Sequence, residues 1–213
     1  MESSLAGINE AHKAGLFSRF GLANYPAKDV ENICEHCKAH NYVLPTAYQG
    51  NYSAIARRLE SELFPTLRKY GIAFYAYSPL AGGFLTKTKQ DIADEKGRFV
   101  SNTTLGQLYR LTYAKPAYLE ALSQWEDIAK EAGVSRAELA YRWMVYSSPL
   151  KAENGDAMIF GASSLNQAKQ TLEGVGKGPL DGKVVDKVEK LWKTVEHEAP
   201  VENYVNEFFN AGV

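Results

Sequence analysis

Two stretches carry residue types and spacings suited to holding an anionic ligand. In Tyr77-Ser78-Pro79-Leu80-Ala81-Gly82-Gly83-Phe84-Leu85 an apolar run ends, a proline fixes φ, and two glycines let the backbone approach a ligand closely. Backbone N–H groups in such a loop cradle phosphates, although an ordinary strand-to-loop turn uses the same residues. Gly161-Ala162-Ser163-Ser164-Leu165-Asn166-Gln167 joins a strand end to a helix start. N–H groups at a helix N-terminus attract anions, and Ser163 and Ser164 add hydroxyl donors. A plain helix cap is the other reading. Two such turns at successive strand C-ends weigh more than either alone, because α/β proteins bind ligands at that end.

Other chemistry-bearing residues fall where they do less. Cys34-Glu35-His36-Cys37 has zinc or redox spacing but sits inside a helical stretch, and no second ligand pair follows. It is read as structural, and no metal is expected. His12, His36, His40 and His197 all lie in helical or polar stretches rather than at strand ends. No Ser-His-Asp set, Gly-x-Gly-x-x-Gly fingerprint or phosphate-loop lysine can be assembled. Trp125, Trp143 and Trp192 stand at helical positions and read as core.

The elements that must position the two turns alternate. Strands are expected near 18–23, 44–49, 72–77 and 157–161. A helix runs from Pro26, which suits a first turn, to His40. Ile55, Leu59, Leu63 and Leu67 recur every four residues as one helical stripe, kinked or divided at Pro65. Residues 84–114 show little periodicity and read as one long loop. Leu119, Leu122, Ile128 and Ala132 mark the next helix. Capping-box patterns at Ser135-Arg136-Ala137-Glu138 and Ser164-Leu165-Asn166-Gln167 open two more. Val184, Val188, Leu191 and Val195 mark a last one, over 181–197. The tail 198–213, with Tyr204, Phe208 and Phe209, is expected to pack back on the domain. Strands alternating with helices imply an α/β protein with four parallel βα units. That is half of an eight-stranded barrel or a small open sheet.

The 213 residues hold 24 Lys plus Arg and 25 Asp plus Glu, a net charge of −1. The balance argues against a generally basic nucleic-acid binder. No apolar run approaches the ~18 residues of a membrane span, and the N-terminus lacks the basic and apolar regions of a secretory signal. Two cysteines argue against a disulfide scaffold. A cytoplasmic protein with no nucleic-acid or membrane partner is expected.

Taken together, these segments resemble the aldo-keto reductases, most closely the aflatoxin-aldehyde reductase branch. Gly21-Leu22-Ala23-Asn24-Tyr25 looks like the end of that family's strand five, and Tyr48-Gln49-Gly50-Asn51-Tyr52 like the end of strand six. Tyr75-Ala76-Tyr77-Ser78-Pro79-Leu80-Ala81-Gly82-Gly83 looks like strand seven with its pyrophosphate loop. Gly161 to Gln167 looks like strand eight with its 2′-phosphate site. Order and spacing agree from about residue 2 to about residue 197. The resemblance implies a single partial domain over 1–213: the C-terminal half of a (β/α)8 TIM barrel, four parallel βα units plus C-terminal helices. It implies NADPH-dependent reduction of aldehydes or ketones, with a role in secondary metabolism. Asn24, beside Ala23, and Gln49 would hold the nicotinamide carboxamide, and Tyr77 would stack on its ring. Ser78, Pro79, Leu80, Ala81 and Gly82 would line the pyrophosphate. Arg98 would bind phosphate, Gly161 and Ser163 would face the 2′-phosphate, and Gln167 would meet the adenosine. The family's Thr-Gly-Lys reads Thr86-Lys87-Thr88 here, and its adenine-side Glu-Asn pair reads Gln170-Thr171.

The family's Asp, Tyr, Lys and His tetrad is carried on its first four strands, so the resemblance puts no catalytic residue within this chain. Tyr25, Tyr48 and Tyr52 are the tyrosines near the rim where a replacement acid would stand. Three readings remain open: part of a full reductase, a half-barrel that closes with itself or with a complementary N-terminal half, or a non-catalytic NADP-binding or regulatory protein. Four strands of a barrel leave two open edges, which predicts association rather than a stable monomer.

Overall fold

The computed structural model describes residues 2–201, so Tyr204, Phe208 and Phe209 lie outside the described residues. These residues form two compact units, the first built from 2–50, 59–76 and 150–157 and the second from 51–58, 77–149 and 158–201.

The first unit carries the sheet. Strands β1 (Phe20–Ala23), β2 (Pro45–Asn51), β3 (Ala73–Tyr77) and β4 (Ala157–Met158) make one parallel four-strand sheet in the order β1-β2-β3-β4. Helices α1 (Glu2–Lys13), α2 (Ala27–Ala39), α3 (Leu59–Glu62) and α4 (Phe64–Tyr70) accompany it. The β1–β2 register pairs Leu22 with Tyr48 and Ala23 with Gln49, and slips one residue between Phe20 and Gly21. Period-two alternation then buries Leu22 and Tyr48 on one face and exposes Gly21, Ala23 and Gln49 on the other. The buried side packs Val30, Ile33, Cys34 and Cys37 of α2 and Phe64 and Leu67 of α4. Phe74 lies 4.7 Å from Phe64 and 6.0 Å from Tyr48, ring centre to ring centre. A Cβ on Gly50 would stand 2.5 Å from the Phe74 ring, so only glycine lets β2 lie this close.

Two buried polar side chains tie loops to this unit. Asn9 Oδ1 accepts from Val43 N at 3.0 Å. Asp156, its side chain fully buried, accepts from Arg68 at 2.9 and 2.6 Å, from Phe74 N at 2.8 Å and from Lys151 N at 2.9 Å. Four donors on one carboxylate compensate the cost of burying it.

Two expectations change here, and the structural reading of the cysteines stands. The expected stripe of Ile55, Leu59, Leu63 and Leu67 is buried throughout, but it is not one helix. Ile55 precedes the helices, and the chain divides at Leu63 because Pro65, in the first turn of α4, has no N–H to continue α3. The strand expected over 157–161 forms only at Ala157–Met158, where it has β3 on one side and no neighbour on the other among the described residues. The buried thiols of α2 are inert: burial, with Cys37 alongside, pushes the Cys34 thiol up to about 11, and burial pushes up Cys37 as well.

The second unit is helical. The segment 84–114, expected to be a loop, is largely ordered: a 3-10 stretch over Ala81–Thr86, α5 (Lys89–Ala93), a 3-10 turn over Gly97–Phe99 and α6 (Thr104–Tyr113). The buried positions of α6 include Tyr109, Thr112 and Tyr113, whose hydroxyls mute any hydropathy period. Phe84, Phe99, Tyr109, Tyr113 and Tyr118 form one aromatic cluster with ring centres 5.6–6.4 Å apart. Beyond it run α7 (Pro116–Glu131), α8 (Arg136–Tyr146), α9 (Leu165–Gly176) and α10 (Gly182–Val195). Trp125, Trp143 and Trp192 are buried, as expected. Arg57 lies 4.9 Å from the Trp143 ring and 5.6 Å from the Trp192 ring, and donates to Glu189 at 2.7 Å. No described helix is long and apolar enough to cross a membrane.

Candidate functional site

The turn after β3 is built by backbone strain. Ser78 (φ 58°), Ala81 (φ 50°), Gly82 (φ 68°) and Gly83 (φ 99°) all take the left-handed region within six residues. Gly82 and Gly83 take it freely, but Ser78 and Ala81 carry a strain that persists only where the surroundings over-determine it, as at ligand sites. Ala81 N donates to Ser78 O at 2.8 Å and Gly83 N to Leu80 O at 2.9 Å, folding the chain back on itself. The Tyr109 ring backs the turn so closely that a Cβ on Gly82 would sit 2.1 Å from it. On α8, Arg136 pins the exit by donating to Lys87 O at 2.6 Å, while Glu126 holds Arg136 at 3.1 Å.

An arm carries Arg98 to the same place. Thr88 and Asp91 form a reciprocal capping box that starts α5. Lys96 donates to Asp91 at 2.8 Å and, with the Thr88 N–H, holds that carboxyl well below the usual carboxylate range. Arg110 reaches from α6 to the carbonyls of Ile92 (3.0 Å) and Phe99 (3.4 Å), fixing both ends of the arm. Gly97 has φ 72°, and Lys87 Nζ lies 3.3 Å from where its Cβ would stand.

The turn before α9 is built by side chains. Ser164 Oγ accepts from Gln167 N at 3.2 Å, the first half of a capping box. The second half is displaced by one residue, since Gln167 Oε1 accepts from the N–H and the hydroxyl of Ser163, both at 2.9 Å, and not from Ser164. An arriving anion would compete with Gln167 for those two Ser163 donors.

These three segments wall a hollow of about 640 Å³ within the second unit. Of the thirteen residues singled out from the sequence, Tyr77, Ser78, Pro79, Leu80, Gly82, Arg98, Gly161, Ser163 and Gln167 line it. Ala81 does not; it is fully buried, so its side chain is not available to the hollow. Ala23, Asn24 and Gln49 belong to the sheet unit. There Ala23 and Gln49 are register partners with exposed side chains, and Asn24 has φ 59°. The Tyr48 hydroxyl holds the turn after Asn24 by donating to Tyr25 O at 2.8 Å and accepting from Tyr25 N at 3.0 Å. Tyr48 and Tyr52 are buried, which leaves Tyr25 as the exposed member of the three rim tyrosines.

Seven wall residues lie outside those thirteen, Lys87 and Tyr141 among them. Lys87 lines the hollow one position from where the family pattern has its lysine, and Tyr141 lines it from inside α8. Burial pushes the Tyr141 phenol up, so it stays a neutral hydrogen-bonding group. No sequence period separates a wall tyrosine from a core one. With Arg98 and Lys87 as cations, hydroxyls from Ser78, Thr86 and Ser163, and no Asp or Glu on the wall, the hollow suits a polyanion carrying flat rings.

The sequence model of the Aldo/keto reductase family matches residues 1–193. An oxidoreductase of Leptosphaeria maculans, sirO, is 40% identical over 200 residues, which cover 94% of this chain and 61% of that protein. Human aldo-keto reductase family 7 member A3 is 41% identical over 208 residues, covering 94% and 62%. Human aflatoxin B1 aldehyde reductase member 2 is 42% identical over 208 residues, covering 94% and 58%. The chain thus spans about six tenths of the length of these relatives.

Proposed function

The chain belongs to the aldo/keto reductase family, and from that premise we propose that it is the C-terminal half of a (β/α)8 barrel. In that reading it holds the phosphate side of an NADP(H) site for reducing aldehydes or ketones to alcohols. The observation that carries this is the composition of the hollow: Lys87 and Arg98, the hydroxyls of Ser78, Thr86 and Ser163, and no carboxylate, around a glycine turn of positive φ. The residues fit the cofactor on that ground. The close approach at Gly82 and Gly83 suits a pyrophosphate, and Ser163 with Gln167 suits a second phosphate near a helix start.

When bound, NADPH would supply the hydride for the carbonyl carbon. This chain's residues would bind and orient. Arg98 and Lys87 would neutralise phosphate charge, Ser163 would turn its two donors from Gln167 to an anion, and Tyr77 would offer its ring to the nicotinamide. The group that protonates the carbonyl oxygen would come from strands outside this sequence, as would the rest of the Asp, Tyr, Lys and His tetrad. General-acid help is worth about 10²–10⁴-fold, so its absence would leave the chain alone nearly inactive.

Closure with a complementary half is part of the proposal. Among the described residues β1 and β4 have one neighbour each, and Gly21, Ala23 and Gln49 leave one sheet face open. Aldehydes, as the aflatoxin-aldehyde name of one relative suggests, and a role in secondary metabolism complete the reading. A cytoplasmic setting accords with two free cysteines, both buried.

Calorimetric titration of the 213-residue chain with NADP+ and NAD+ is the test. NADP+ should bind about 10-fold more tightly or better, the worth of one charge-assisted contact to the extra phosphate. Equal affinity, or none, would sink the assignment. Steady NADPH oxidation with aldehydes by the chain alone would instead sink the claim that the proton donor lies elsewhere.

A further inference from the structure

Arg98 stands at the tip of the arm, and its own side chain does not hold it there. It is exposed, and no hydrogen bond or ion pair engages it among the described residues. Its place is therefore set by the backbone that carries it. Below the tip, the Glu95 carboxylate accepts from the Ser101 N–H at 2.9 Å and from the Ser101 hydroxyl at 2.7 Å, which closes a neck around residues 96–100. Phe99 anchors the tip from beneath. It is fully buried, with its ring centre 5.8 Å from that of Phe84 and 5.9 Å from that of Tyr109.

Arg110, next to Tyr109 on α6, supplies the remaining brace. Its Nη1 donates to the carbonyl oxygens of Ile92 at 3.0 Å and Phe99 at 3.4 Å. Ile92 is buried near the end of α5, and Phe99 follows Arg98 directly. One guanidinium thus spans the segment 92–99 with charge-assisted bonds. Its charge also reaches the neck: the Ser101 N–H and hydroxyl, and after them the Arg110 charge, hold the Glu95 carboxyl below its ordinary range. Arg110 itself does not line the hollow, whereas Arg98 does. A segment ordered in advance spares a ligand the cost of ordering it on binding.

We propose that Arg110 is a positioning residue for the cofactor phosphates and that it acts through Arg98. The inference rests on the hollow being the phosphate side of an NADP(H) site.

The test is a double-mutant cycle in NADP+ affinity, read by calorimetric titration of the full chain. Arg110→Met should weaken NADP+ by about 10-fold in the parent but by less than about 2-fold in an Arg98→Ala background, where the group it places is gone. In a Ser163→Ala background it should cost the full factor. Arg110→Lys keeps the charge and repeats the cycle should the methionine variant not fold; its smaller loss should again vanish without Arg98. An arginine that only supports the fold, or that acts by its own charge at a distance, would weaken NADP+ equally in all three backgrounds, and that result overturns the proposal. Unchanged affinity in both Arg110 variants overturns it too. No NADP+ binding by the parent overturns the cofactor reading, and this proposal with it, whereas binding by the parent with an additive cycle overturns the role of Arg110 alone.

Discussion

The turn after β3 and the turn before α9 face the same hollow but are held by different physics. The first relies on backbone shape: four positive φ values within six residues, closed by its own hydrogen bonds and backed by the Tyr109 ring. The second relies on replaceable side chains, with Ser163 and Ser164 engaged by Gln167 on the surface. A Cβ on Gly161 would meet nothing within 4 Å, whereas one on Gly82 would strike the Tyr109 ring. A glycine-rich motif therefore has no single meaning, since one of these glycines is required by packing and the other is not.

The largest effect should come from testing that contrast directly. Gly82→Ala adds a clash to a φ of 68°, and should cost about 2–4 kcal/mol. Gly161→Ala should stay within about 0.5 kcal/mol. Denaturant melts of the two variants give the comparison, and similar midpoints would erase it.

Next in size is ligand affinity. The cations on the arm should outweigh the hydroxyl on the helix turn. Lys87→Ala combined with Arg98→Ala should weaken NADP+ by about 1.5–3 kcal/mol, against about 0.5–1.5 kcal/mol for Ser163→Ala. The double variant should also flatten the dependence on salt. Titrations at low and high ionic strength read both effects, and a larger loss from Ser163→Ala would reverse the ranking.

Smaller still is the cap. Ser164→Ala removes the acceptor for Gln167 N and should cost about 1 kcal/mol of stability. Ser163→Ala should cost less, since Ser163 Oγ meets only an exposed glutamine. Thermal melts in parallel would separate the two serines.

The smallest effect concerns pH. Asp91 titrates below its ordinary range, first because of Lys96 and then because of the Thr88 N–H. A depressed carboxyl contributes stability that is full above the unfolded value, about 3.9, and is lost as pH falls through the lower folded value. The arm bearing Arg98 should therefore hold steady from pH 7 to about 5 and loosen only below about 4. Hydrogen exchange at the amides of 89–98 would follow it, and loosening already near pH 6 would contradict this account.

Much of the site was legible because strand ends, prolines and glycines leave local marks. Nine of the thirteen residues named from the sequence line one hollow, eight of them from two short motifs and Arg98 from the family resemblance. What escaped had no local mark. Tyr109 reads as one tyrosine among thirteen in the chain, yet it is the wall that makes Gly82 obligatory. Asp156 stands at the start of an expected short strand with no mark of its role, yet it gathers four donors from Arg68, Phe74 and Lys151. Lys87 sits one position off the family pattern, and only the fold over Gly97 shows where its ammonium goes.

The sequence by itself determined the alternation of strands and helices, the family, and the two turns that wall the hollow. Periodicity and turn chemistry act over a few residues, and those properties are local. Tertiary structure alone decided that 84–114 is an ordered arm and helix rather than a loop, that Ala81 is buried while Lys87 lines the hollow, and that Ser163 is held by Gln167. Each of those outcomes depends on which distant side chain fills a given space, and no local pattern in the chain specifies that.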